Sequence, residues 1–206
     1  MGAYARLEPI VGLEPEGSKN RPDADLRGIV ERARSGDREA FEQLVAAHER
    51  SVLRTARALL GNLEDARDAA QEVFLRVFRH LHRFDPRREF APWLYRVAVN
   101  VCRDVHRRRA RMPAAPLDDL DPAVLARPAN QEADADAADR VRAIREALRL
   151  LSVREREVVV LRDVEGFSTA EVARSLGCTE ITVRSHLSRG RLKLQGALSG
   201  AGGRGR

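Results

Sequence analysis

From Ser168 to Arg191 the chain reads STAEVARSLGCTEITVRSHLSRGR, a run in which polar donors recur at helical spacing. Val172, Ala173 and Leu176 fall on the inward side of a short helix, and Val183 and Leu187 on the inward side of a second. Gly177 stands between them, where a turn can take positive φ without a Cβ clash. The second helix then turns Thr182, Arg184, Ser185, His186, Ser188 and Arg189 outward. Each can donate to a phosphate oxygen or a base edge, and the layout is that of a helix-turn-helix whose second helix enters a major groove. A structural pair of helices can show the same spacing; the row of donors is what favours DNA.

Two further polar sets lie in the first half. Trp93, Arg96, Asn100, Arg103 and Arg107 recur at spacings of 3, 4, 3 and 4, so one helix can hold them on one face. Trp93 is expected to anchor that helix in the core, and the five arginines between Arg103 and Arg111 are expected to meet phosphate. A charged loop, Asp85-Pro86-Arg87-Arg88-Glu89, precedes it. Upstream, Ala66, Ala70, Val73, Phe74, Val77, Phe78 and Leu81 fall on one helical face, while Asp65, Asp68, Gln71 and Glu72 lie towards another. That acidic face suits a basic, protruding helical partner.

These residues need an all-α scaffold, and the periodicity supplies one: two small helical domains joined by a flexible acidic linker. Residues 1–22 read as a flexible leader rich in Gly, Pro and Glu. Residues 23–111 form the first domain. There Asp37 can cap a helix running to about Leu60, Gly61-Asn62 breaks it, and Pro86 ends the helix after it. Pro92 sits where a first helical residue would. Residues 112–139 hold seven acids against the single base Arg127, together with four prolines, which marks a linker. Residues 140–196 form the second domain, where Ser152 to Glu155 and Ser168 to Glu171 both fit a capping box. Residues 197–206 read as a frayed tail.

Composition narrows the function. The 206 residues carry a formal charge of +6 with 43% hydrophobic residues, which favours a polyanionic partner for a protein with a modest core. Cys102 and Cys178 form no CxxC pair and are expected to pack as small hydrophobes; neither a metal nor another cofactor is expected. His48, His80, His82, His106 and His186 show no ligand spacing with carboxylates, and there is no phosphate loop or HExxH. An enzyme is therefore not expected. No apolar run of signal-peptide or membrane-span length occurs, so a cytoplasmic protein is expected.

The helix-turn-helix stretch resembles the carboxy-terminal domain of extracytoplasmic-function (ECF) sigma factors through Glu165-Gly166-Phe167-Ser168, Glu171-Val172-Ala173, Leu176-Gly177 and Thr182 to Arg191. It is also similar to the LuxR-type helix-turn-helix, which would make the protein an autonomous transcriptional regulator. Asp65-Ala66-Arg67-Asp68-Ala69-Ala70-Gln71-Glu72-Val73-Phe74 and Phe90-Ala91-Pro92-Trp93-Leu94-Tyr95-Arg96-Val97-Ala98-Val99-Asn100 resemble two further sigma motifs in the right order, and these favour the sigma reading. The resemblance covers roughly residues 23–196. It implies that Asp65, Asp68, Gln71 and Glu72 bind the β′ clamp helices of core RNA polymerase, with the β flap as a further contact. It implies that Arg87, Arg88, Arg96, Asn100, Arg103 and Arg107 meet the −10 element. Thr182, Arg184, Ser185, His186, Ser188 and Arg189 would meet the −35 element, and an anti-sigma factor would be the regulator. The chain departs from the family pattern at Thr179 and Ile181, where many members have Pro and Gly, and at His186, where arginine is frequent.

Overall fold

The computed structural model describes residues 23–111 and 141–201, and every regular element among them is helical. The leader 1–22, the linker 112–139 and the last five residues lie outside the described residues.

In the first half, α1 (Asp23–Arg34), α2 (Arg38–Leu60), α3 (Leu63–His80) and α4 (Phe90–Arg109) pack as a bundle, with a single 3-10 turn at Leu81–Arg83. Local chemistry sets the boundaries. Asp37 caps α2 by accepting from the Ala40 amide at 3.0 Å, and Asn62 caps α3 through the Asp65 amide at 2.8 Å. Gly61 closes α2 in the left-handed region at φ 85°. α4 begins two residues earlier than its proline suggests: Glu89 is the cap residue, so Pro92 is the third helical residue. Proline is tolerated there because the first turn's N–H groups have no intrahelical acceptor.

The second half holds α5 (141–149), α6 (Val153–Val159), a π-turn at Val160–Val164, α7 (Thr169–Leu176) and α8 (Glu180–Ala201). Both capping boxes form. The Glu155 amide donates to Ser152 Oγ at 3.3 Å and the Glu171 amide to Ser168 Oγ at 3.2 Å, each reciprocated by the glutamate. α8 runs through Gly196 to Ala201 rather than fraying after it. Leu194 is buried and Ala197 and Leu198 pack on the core, which continues the helix past the glycine.

The apolar interiors of the two halves merge into one core. α6 and the π-turn lie on α2, and α7 lies on α4. The seam also carries buried polar groups. Glu165, 6% exposed, accepts from Thr55 Oγ1 at 2.6 Å, Tyr95 Oη at 2.7 Å and Arg54 Nη2 at 3.2 Å. Arg156 donates to the carbonyls of Leu59 at 2.9 Å and Leu148 at 2.8 Å, joining the C-terminal ends of α2 and α5. Tyr95 also meets Phe167 edge to face at 5.1 Å. Burial, with the Glu165 carboxylate beside it, pushes the Tyr95 phenol far up, so it donates as a neutral hydroxyl. Burial likewise raises the Cys102 thiol to about 12, and it packs as a small hydrophobe, as expected. Cys178 is half-buried.

Glu155 couples the fold to pH. Its ion pair with Lys193 at 2.7 Å, helped by the Ser152 amide, holds its carboxyl at about 2, against an ordinary 4.5. A folded value below the unfolded one means that folding favours the ionised form. The contribution is whole above about pH 4.5 and drains away as the pH falls towards 2. Glu155→Gln, which cannot ionise, is expected to show a shallower loss of stability over that window. Urea unfolding at a series of pH values reads the slope; equal slopes in wild type and variant would refute the assignment.

Candidate nucleic-acid interface

α7 and α8 build the helix-turn-helix. Gly177 closes α7 in the left-handed region, φ 66° and ψ 43°. Thr179 then caps α8 by accepting from the Thr182 amide at 3.2 Å, so helix entry survives the departure at this position. Val172, Ala173 and Leu176 of α7 and Val183 and Leu187 of α8 are buried against each other and the core. Gly190 lets α8 cross α6 closely: a Cβ there would lie 2.8 Å from Val159 Cγ2.

The expected donors divide into two groups. Arg184, Ser185, Ser188 and Arg189 are exposed along the outer side of α8. Thr182 and His186 are half-buried; the Thr182 hydroxyl lies 2.9 Å from Thr179 Oγ1, and His186 Nδ1 lies 3.2 Å from Arg189 Nη2. Glu180 holds the Arg184 guanidinium at 2.8 Å. That pair is exposed and exchangeable, worth a fraction of a kcal/mol to about 1 kcal/mol.

On α4, Arg96, Asn100 and Arg107 are exposed. Arg103 is not free. Its guanidinium makes a bidentate pair with Glu157 of α6, Nε to Oε1 at 2.6 Å and Nη2 to Oε2 at 2.7 Å. Arg107 pairs with Asp104 one turn back. In the loop before α4, Arg87 and Arg88 are exposed and gather around Asp85, at 3.1 and 3.8 Å. Trp93 is half-buried, its ring 5.0 Å from Phe84 and 5.7 Å from Phe90, the anchoring role expected of it.

On α3, Asp68 and Gln71 are exposed, whereas Asp65 pairs with Arg109 at 2.5 Å and Glu72 with Arg76 at 2.7 Å. The open part of this face is therefore narrower in charge than expected. It is longer, however: Leu75 is 44% and Phe78 62% exposed, one and two turns beyond Gln71. Phe78, expected in the core, instead meets Phe41 edge to face at 5.0 Å from outside the bundle. Among the described residues no cluster of His, Cys, Asp or Glu is arranged to hold a metal, and no helix is long and apolar enough to cross a membrane.

A helical unit with an acidic face and a basic helix, followed by a helix-turn-helix, has the organisation of a promoter-recognition factor of the sigma-70 class. The family profile Sigma-70 region 2 matches residues 44–112, and Sigma-70, region 4 matches residues 141–194. The ECF RNA polymerase sigma factor SigM of Mycobacterium tuberculosis is 38% identical over 186 residues, covering 90% of this chain and 88% of the relative. RNA polymerase sigma factor CnrH of Cupriavidus metallidurans is 36% identical over 187 residues, covering 87% and 96%. The solved structure of CnrH in complex with the cytosolic domain of CnrY matches with a TM-score of 0.65 at 29% identity, over 84% of this chain and 97% of that one. The sigma factor RpoE of Bartonella quintana, solved with the anti-sigma factor NepR, shares the fold at a TM-score of 0.61 and 21% identity, over 77% of this chain and 96% of that one. The chain belongs to the ECF sigma factor family of bacterial RNA polymerase, and its function is to direct transcription initiation as an alternative sigma factor. The autonomous regulator reading is not favoured. Its relatives are regulatory proteins, not enzymes.

Proposed function

We propose a division of labour along the chain. Residues 23–111 dock on core RNA polymerase and hold the −10 element, and residues 140–196 hold the −35 element. Asp68 and Gln71, flanked by the paired Asp65 and Glu72 and prolonged by Leu75 and Phe78, meet the β′ clamp helices. The helix-turn-helix half adds a contact to the β flap. Arg184, Ser185, Ser188 and Arg189 reach the duplex −35 element, with Thr182 and His186 at the edge of that surface. Arg87, Arg88, Arg96, Asn100 and Arg107 hold melted −10 DNA, and Arg103 joins them by exchanging Glu157 for phosphate. The observation that carries this reading is the presence in one chain of an open acidic and apolar face on α3 and an open row of donors on α8. An autonomous DNA-binding protein needs only the second.

Each DNA contact is small, so polymerase strengthens binding by replacing the seam between the two units with the spacing the promoter requires, through effective concentration. The protein acts in the cytoplasm, where core polymerase is. Control falls to an anti-sigma factor, by analogy with CnrH, which was solved with the cytosolic domain of CnrY.

Run-off transcription on the fragment upstream of the protein's own gene tests the reading. A discrete start site is expected only when core enzyme and this protein are both present. Removal of residues 140–206 and charge reversal by Asp68→Arg should each abolish or sharply reduce it, the second without changing thermal stability. Tight binding of the free protein to a short duplex, with no initiation on core enzyme, would overturn the reading.

A further inference from the structure

Ile181 is an anomaly on the outer side of α8. It is the second residue of the helix and 75% exposed, more than Phe78 or Leu192. An isoleucine on this face buries nothing in the core, since Val183, Leu187 and Leu194 fill the inward side. By helical spacing it lies one turn before Arg184 and Ser185 and two before Ser188, all exposed. A branched apolar side chain therefore stands at the leading end of a row of cationic and hydroxyl donors.

That mixture fits the major groove. The first residues of a recognition helix are the ones that approach base edges. The apolar group that base pairs display there is the C5-methyl of thymine, and the rest of the edge is donors and acceptors. Arg184 and Arg189 supply charge complementary to phosphate, and Ser185 and Ser188 can bond to either base edges or phosphate. Their polar ends cannot recognise a methyl group. Ile181 can, by dispersion and by excluding water from it.

We propose that Ile181 is a specificity residue that reads a thymine methyl group in the duplex −35 element. The inference rests on the −35 role of α8 and extends it: the donors hold and orient the helix on DNA, and Ile181 adds preference for thymine at one base pair. Burying one methyl group is worth on the order of fourfold in affinity.

The test uses the full chain with core polymerase and duplex promoter probes selected from a library randomised over the −35 hexamer. Each thymine of the selected −35 sequence is replaced singly by deoxyuridine, which pairs identically but lacks the methyl group. Wild type is expected to lose about fourfold in affinity at one position. Ile181→Ala should bind the thymine probe more weakly by a similar factor and show no response to deoxyuridine at that position. Ile181→Val should retain part of the response. Because Ile181 is exposed, both variants should unfold at the wild-type temperature. If selection enriches a −35 sequence but no deoxyuridine position separates wild type from Ile181→Ala, the thymine-reading role is overturned and the −35 reading stands. If selection enriches no −35 sequence at all, both fall together.

Discussion

Glu165→Ala is expected to loosen the seam between the two halves and to cost about 3–5 kcal/mol of stability, the usual range for breaking a buried charged network by removing one partner. The carboxylate is the common acceptor for three groups from the other half: the Arg54 guanidinium and the hydroxyls of Thr55 and Tyr95. Thr55 and Tyr95 are 0% and 1% exposed, so water cannot replace the lost acceptor without opening the packing. Glu165→Gln keeps an acceptor oxygen and is expected to lose less. Thr55→Val removes one donor, leaves the others satisfied, and should cost about 1 kcal/mol. Chemical unfolding measures all three, and small-angle scattering reports whether Glu165→Ala also expands the molecule. An unchanged midpoint for Glu165→Ala would show that the seam is not formed in solution.

Gly190→Ala is expected to destabilise the helix-turn-helix half, against the ordinary rule that alanine favours a helix interior over glycine by roughly 0.5–1 kcal/mol. The added Cβ would stand 2.8 Å from Val159 Cγ2 and 3.6 Å from Glu155 Cβ, where α8 crosses α6. Overpacking of that kind costs about 1–3 kcal/mol, enough to outweigh the propensity gain. Val159→Ala removes the clashing methyl, so the double variant should be more stable than the two single losses predict, by a coupling of about 0.5–3 kcal/mol. Losses that simply add would mean the two helices do not pass this closely. A lowered transcription signal in Gly190→Ala should be restored in part by the second change, since α6 braces the helix that carries Arg184 and Arg189.

Much of the fold and of the outward row of donors on α8 is legible in the sequence because the relevant interactions are local. Asp37, Ser152 and Ser168 each bond three residues ahead, so the start of a helix is written within one turn. Gly177 occupies a left-handed position that its neighbours announce, and Arg184, Ser185, Ser188 and Arg189 take the outward side that the spacing of Val183 and Leu187 dictates. Periodicity fixes the angles between side chains on one helix. It does not fix how wide an arc the neighbouring helices cover. Phe78 shows the difference: it follows Val77, which is buried, yet it lies outside the bundle against Phe41.

Which charges are committed to partners far along the chain was decided by tertiary structure alone. Arg103 shares a helical face with Asn100 and Arg107, but it is paired with Glu157, 54 residues away. Glu165, at the head of a recognised motif, is a buried acceptor for residues 110 and 70 positions earlier. Asp65 is drawn to Arg109 and Gly190 is pressed against Val159 in the same way. A charged side chain reads the same in sequence whether it faces water or a partner across a seam. Only packing sets the distance and the loss of water that turn it into a buried pair.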